Sequence, residues 1–238
     1  MKLFVIVPTY NEKENISDLV GDILGLEIKD TETGIIIVDD NSPDGTGEIA
    51  DSLAAADPAV CVIHREGKLG LGTAYIAGMR LALEKKGDFI MTMDADFSHN
   101  PSYIPDIIKA MGSSDIVIGS RYVSGGGTRH WGLKRIILSK TANLIAKLML
   151  KFEANDCTAG FRCYRRAVLE AVNLDNIFSN GYSFLVEMLY RCRSKNFRVG
   201  EVPIIFVDRT RGKSKISRKE IYKAMLTLVK LRFGGFLS

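Results

Sequence analysis

The 238 residues are 46% hydrophobic and 25% charged, an ordinary globular composition with room for one large domain or two small ones and nothing that suggests disorder. The net charge of +4 is mild, but Arg191, Arg193, Lys195, Arg198, Arg209, Arg211, Lys213, Lys215, Arg218 and Lys219 gather late, which hints at phosphate groups or an anionic membrane surface. No apolar run approaches the roughly 18–20 residues that span a bilayer, and the apolar start is too short for a signal-peptide core, so a cytoplasmic chain that at most lies on a membrane is expected.

In chain order, Leu3–Val7, Ile35–Asp39, Val60–His64, Asp88–Met93 and Asp115–Gly119 read as strands. They lack polar alternation, so both faces should be covered, and the amphipathic segments between them make this the pattern of a largely parallel α/β sheet. The first helix follows Asn11 and Glu14, spaced as a capping box, with Ile16, Leu19, Val20, Ile23 and Leu24 on one face. Asp57-Pro58 ends a second helix, Thr73–Lys86 forms a third, and Pro101 opens a fourth. Beyond residue 120, Ser124–Thr128 reads as a glycine-rich loop and Leu133–Leu150 as a long helix, with further helices near Arg165–Val172 and Tyr182–Arg193. Phe197–Val207 reads as one or two strands and Thr210–Ser214 as a basic loop. A last helix is boxed by Ser217 and Glu220, with Ile221, Ala224, Met225, Leu228 and Leu231 or Arg232 on one face. Nothing marks a second domain, so residues 1–238 read as one α/β domain with a helical and basic second half from residue 121. The four cysteines are scattered, with no pair or histidine at zinc spacing, and read as reduced thiols.

Ligands of an open parallel sheet bind beyond the carboxyl ends of its strands. At those ends stand Pro8-Thr9-Tyr10-Asn11-Glu12, then Asp39 through Thr46, then Asp94-Ala95-Asp96. Carboxylates concentrated at one rim repel one another and are costly to desolvate without a cation, and hard oxygen donors beside phosphates suit Mg²⁺ or Mn²⁺. No P-loop occurs, and no G-x-G-x-x-G follows the first strand, which demotes nucleoside triphosphatase and dehydrogenase chemistry.

The segments VPTYNEKENI (7–16), IIIVDDNSPDGT (35–46), LGLGTAYIAGM (69–79), MDADFSHNP (93–101), GSRY (119–122), DCTAGFRCYRR (156–166) and VDRTRGKSK (207–215) together resemble the family 2 glycosyltransferases. Among these they look most like the dolichyl-phosphate (polyprenyl-phosphate) mannose synthases. The resemblance implies a glycosyltransferase A-type, Rossmann-like α/β fold: a mostly parallel sheet flanked by helices, with a C-terminal amphipathic helix. It implies inverting transfer of mannose from GDP-mannose to a dolichyl or other polyprenyl phosphate, at a membrane surface, with no nucleic acid involved. Pro8, Tyr10, Glu12, Val38, Asp39 and Asp40 match positions that hold the guanine and ribose. Asp94 and Asp96 match the motif that binds the divalent cation, with Ala95 lining the same pocket, and Arg121, Arg209 and Lys215 match basic positions that meet phosphates.

A phosphate nucleophile is already anionic, so no tuned general base is needed, and His64, His99 and His130 are expected to be structural or substrate-orienting. His99 is the exception to watch, being close in sequence to Asp96. Ser124–Thr128 and Arg209–Lys215 are expected to close over the donor. Trp131, the apolar face of 133–150 and the Ile221–Leu231 face can rest on lipid, near Lys134, Arg135, Lys140, Lys219, Lys223 and Lys230, or pack on the domain or a partner. Attachment would then be peripheral on the cytoplasmic face, supplied by a membrane-anchoring partner subunit, or lost by truncation. Two alternatives stand beside this reading: a polyprenyl-phosphate glucosyltransferase using UDP-glucose, and a non-catalytic nucleotide-binding subunit.

Overall fold

The structure is a computed structural model, and it describes residues 1–208 and 218–234. The elements run β1 (Lys2–Thr9), α1 (Ile16–Leu24), β2 (Glu32–Asp39), α2 (Thr46–Ala56), β3 (Val60–His64), α3 (Leu71–Glu84), β4 (Phe89–Thr92), α4 (Ile104–Ala110) and β5 (Ile116–Ser120). Then follow β6 (Gly127–Arg129), α5 (Leu133–Leu150), β7 (Arg162–Arg165), α6 (Arg166–Ala171), α7 (Tyr182–Ser194), β8 (Val199–Pro203), β9 (Ile205–Val207) and α8 (Arg218–Phe233). Seven strands form one sheet in the order β3-β2-β1-β4-β7-β5-β8, in which β7 alone runs antiparallel to its neighbours. β6 and β9 make a separate parallel pair.

The continuous apolar strands are covered on both faces, as their lack of alternation predicts. Leu3, Val5, Val7, Ile35 and Ile37 face one way, into a core closed by Ile16, Leu19 and Ile23 of α1 and Ile104 and Ile107 of α4. Ile6, Ile36, Val38 and Ile90 face the other way, against Tyr75 and Met79 of α3 and Phe184, Leu185 and Met188 of α7. Each such fully buried aliphatic side chain contributes about 1.5–3 kcal/mol. β1 lies between β2 and β4, and β2–β3 extend the sheet on one side while β4 begins the other. The strand order therefore reverses at β1/β4, and the crevice at their carboxyl ends is where an open sheet of this type takes a ligand.

Three details differ from the expected elements. Asn11 and Glu14 form no capping box: Asn11 adopts a left-handed φ of 62°, and the residue before α1 is Asn15, whose side chain donates to Glu12 Oε2 at 2.8 Å. The reason is tertiary, since Asn11 N–H donates to Ser42 Oγ and Glu12 N–H to Thr46 Oγ1, which draws the turn toward the loop after β2. β7 was not foreseen, because Arg162-Cys163-Tyr164-Arg165 carries arginines at both ends. Arg162 is nonetheless fully buried, donating to the carbonyls of Ala159, Leu185 and Cys157. Finally, part of the glycine-rich loop is β6, registered on β9. The Ser217 cap, the Thr210–Ser214 loop, Arg209 and Lys215 lie outside the described residues. The four cysteines are free, as expected.

Candidate functional site

The loops after β1, β2 and β4 meet at the crevice. Asp39 ends β2 and is consumed by structure: it accepts from Thr9 Oγ1 at 2.9 Å, from Ser42 Oγ at 2.6 Å and from Ser42 N–H at 3.0 Å. Asp40 is different. It meets the buried Arg65 guanidinium, whose Nε donates to Oδ1 at 2.6 Å, while Arg65 Nη1 donates to Thr73 Oγ1 at 2.7 Å. Burial pushes the Asp40 carboxyl above its ordinary range, and Arg65 only partly offsets this. Tyr10 projects from the end of β1, and Lys68 Nζ sits 4.3 Å from its ring centroid. Pro8 pairs in register with Val38, so both line the strand ends from within the sheet. Arg65 and Lys68 are members of this wall that sequence reasoning missed. Their only signal was position: they follow β3 directly, at the same sheet edge.

Across the switch point, Asp94 and Asp96 stand on the loop after β4, with Ala95 buried between them. Tyr75 Oη donates to Asp94 Oδ1 at 3.1 Å. Asp96 Oδ1 accepts from Ser98 N–H at 3.0 Å, an Asx-type turn that carries Phe97 at a left-handed φ of 58°. Among the described residues no three His, Cys, Asp or Glu side chains gather closely enough to cage a metal. A pair of carboxylates that leaves the remaining positions to phosphate oxygens and water is how Mg²⁺ is commonly held, so the donor set fits such an ion.

Arg121 follows β5 and is almost fully buried. Its Nε and Nη2 donate to the two oxygens of Asp156 at 2.7 Å each, and Nη2 also reaches Thr158 Oγ1. The rings of Tyr122, Trp131 and Phe206 surround the guanidinium at 5.3–5.5 Å. Burial opposes both charges, yet each partner more than compensates the other: the Asp156 carboxyl is held below its ordinary range and Arg121 above its own. Glu201 on β8 fixes the segment from below, accepting the backbone N–H groups of Asn155 and Asp156. Trp131 packs on Arg135 and Phe206.

A family model for glycosyl transferase family 2 matches residues 4–172. The chain belongs to this family. This glycosyltransferase is 43% identical over 239 residues to the polyprenol monophosphomannose synthase of Mycolicibacterium smegmatis, covering 100% of this chain and 89% of that protein. It is likewise 43% identical to the undecaprenyl-phosphate mannosyltransferase of Micrococcus luteus, over 97% of this chain and 93% of that one. Among solved structures, glucosyl-3-phosphoglycerate synthase of Mycobacterium tuberculosis in complex with Mn²⁺, UDP and glucosyl-3-phosphoglycerate superposes with a TM-score of 0.69 at 18% identity. That superposition covers 97% of this chain and 80% of the other. The same enzyme with Mg²⁺ and UDP gives a TM-score of 0.69 over 97% and 79%. These matches support the glycosyltransferase A-type fold of the family 2 chain.

Proposed function

We propose that this family 2 glycosyltransferase moves mannose from GDP-mannose to the phosphate of a polyprenyl lipid of the dolichyl type, inverting the anomeric centre. One observation carries the reading. The carboxylate pair on the loop after β4, the nucleotide-side loops of β1 and β2 and a charge-paired arginine after β5 converge at one switch point, in a chain 43% identical to two proteins named for mannose on polyprenyl phosphate.

On this reading Tyr10, Pro8 and Val38 bound the guanosine, Asp40 accepts from its base or ribose, and Glu12 with Asp39 keeps the two loops in register. Asp94 and Asp96 would hold a Mg²⁺ or Mn²⁺ ion, which supplies electrostatic stabilisation of the departing diphosphate. Arg121, held rigid by Asp156, contributes fixed positive charge at the same phosphates, and Arg209 and Lys215, which lie outside the described residues, would add to it. A phosphate acceptor is an anion at neutral pH, so no side chain need remove a proton. The histidines are in keeping with this: His64 pairs with Asp51 in an exposed contact, and burial pushes the His99 imidazole below its ordinary value. The test is transfer from radiolabelled GDP-mannose, UDP-glucose and UDP-GlcNAc to a short polyprenyl phosphate. Label is expected in the lipid from GDP-mannose with Mg²⁺ or Mn²⁺ and not with EDTA; preferential transfer from UDP-glucose would establish the glucosyl alternative instead.

The lipid side is read from α5 and α8. Leu133, Ile137, Leu144 and Leu148 of α5 and Tyr222, Leu226, Val229 and Phe233 of α8 are exposed, each set recurring at helical spacing. Lys134, Lys140, Lys223 and Lys230 stand among them. No helix of the described residues is long and apolar enough to cross a membrane. Apolar side chains ringed by lysines suit an anionic bilayer surface, and we read the chain as peripheral there, on the cytoplasmic face, with or without an anchoring partner subunit. Replacing Ile137 and Leu148 by Glu is expected to reduce co-sedimentation with phosphatidylglycerol vesicles roughly 100-fold, since two buried aliphatic side chains are worth about 3 kcal/mol or more. Transfer to a short, detergent-dispersed acceptor should persist.

A further inference from the structure

Phe97-Ser98-His99, directly after the carboxylate pair, has no role in the reading above. His99 is 2% exposed, so its imidazole is part of the interior. Its Nδ1 lies 3.2 Å from the Asp94 backbone nitrogen and accepts that N–H, which puts the ring proton on Nε2. One face of the ring stacks on Phe161 at 5.1 Å, and Phe206 meets it edge-on at 5.4 Å. The backbone closes the same connection: Val207 N–H reaches the Ser98 carbonyl at 3.4 Å, and Ile205 N–H donates to Tyr103 Oη at 3.1 Å.

We propose that His99 is a positioning residue, which aims the Asp94 carboxylate by holding its backbone N–H and locks the carboxylate loop to β9 by its edge-to-face contact with Phe206. The two contacts act on different things. Without an acceptor at Nδ1, the Asp94 amide must turn to find another partner, and the carboxylate carried by the same residue turns with it. Without the ring, Phe206 loses one of the surfaces it packs against, and β9, which leads into Arg209, is held less firmly to the loop that carries Asp94 and Asp96. His99 is not itself a cation ligand on this account, because Nδ1, the nitrogen nearer Asp94 Oδ2 at 3.8 Å, is already occupied.

The inference rests on the reading of Asp94 and Asp96 as the cation pair, and the test separates the two. Mn²⁺ binding to the full chain with GDP is measured by electron paramagnetic resonance for wild type, His99→Phe, His99→Asn and Asp96→Ala. His99→Phe keeps the ring but removes the acceptor, and is expected to weaken Mn²⁺ binding by about 10- to 100-fold, as loss of an outer-sphere partner commonly does. His99→Asn places an amide oxygen near the position of Nδ1 and is expected to recover most of that loss, which a purely space-filling role would not allow. Wild-type Mn²⁺ affinity in His99→Phe, or equal losses in both variants at unchanged thermal stability, would overturn the proposal. So would a histidine nitrogen coupled directly to Mn²⁺ in the wild-type spectrum. If Asp96→Ala binds Mn²⁺ normally, it is the carboxylate assignment that fails; if Asp96→Ala loses the ion and His99→Phe keeps it, only the role of His99 fails.

Discussion

Asp96→Ala is expected to reduce sugar transfer by on the order of 1,000-fold, the scale of several kcal/mol of lost transition-state stabilisation. The geometry requires a second variant beside it. Asp96 does two things: it belongs to the carboxylate pair, and its Oδ1 accepts from Ser98 N–H in the turn that carries Phe97 at φ 58°. Alanine removes both, and the turn then costs about 1 kcal/mol of stability. Asp96→Asn keeps an oxygen for the turn and loses only the negative charge. It should therefore melt within a degree or two of wild type and still be inactive. Turnover is followed with labelled GDP-mannose and unfolding by circular dichroism. A fully active, metal-dependent Asp96→Asn enzyme would remove Asp96 from the site.

Asp156→Asn is expected to destabilise the fold by about 3–5 kcal/mol, because it leaves the Arg121 guanidinium buried without its carboxylate counter-charge. In a chain of this size that is a fall in Tm of roughly 10 °C. Activity should fall as well, since Arg121 is held in place by both oxygens of Asp156. The double variant Arg121→Met, Asp156→Leu tells the two losses apart: replacing a buried pair by apolar side chains can recover stability. It should regain much of the lost Tm and none of the transfer. The pair also gives a pH signature. The Asp156 carboxyl is held below its ordinary value in the folded state, so its contribution is fully present above the unfolded value of about 3.9 and is lost as pH falls through the lower folded one. Wild type should therefore lose more stability than the double variant between pH 5 and pH 2, measured by urea unfolding; parallel losses would show that the pair contributes nothing.

Much of the fold was legible because its signals are local. Apolar runs without alternation predict strands covered on both faces, and β1 to β5 are such strands, sandwiched between two helical layers. The long helix Leu133–Leu150 follows from its composition and the glycines before it. The carboxylate rim was legible for a related reason, since in a parallel sheet the residue after each strand lies at one edge whatever the order of strands. Where the local signal misled, a long-range bond had replaced it. The Asn11–Glu14 box fails because Ser42 and Thr46, from another loop, claim the backbone N–H groups of the turn. β7 went unread because burying Arg162 looks prohibitive from its charge, whereas its cost is met by the nearby Ala159 and Cys157 carbonyls and by Leu185 of α7, 23 residues away.

By itself, then, the sequence determined the alternation of strands and helices, the placing of Asp39, Asp40, Asp94 and Asp96 at one rim, and the family to which those motifs belong. Periodicity and chain order carry that information. What each charged group at the rim faces is set by long-range packing. Asp39 is spent on Thr9 and Ser42, Asp40 meets Arg65, Arg121 is clasped by Asp156, and His99 holds the Asp94 backbone while meeting Phe206 edge-on. The physical reason is that a buried charge or polar hydrogen must find a partner wherever the chain brings one, and most of these partners lie tens of residues away in sequence.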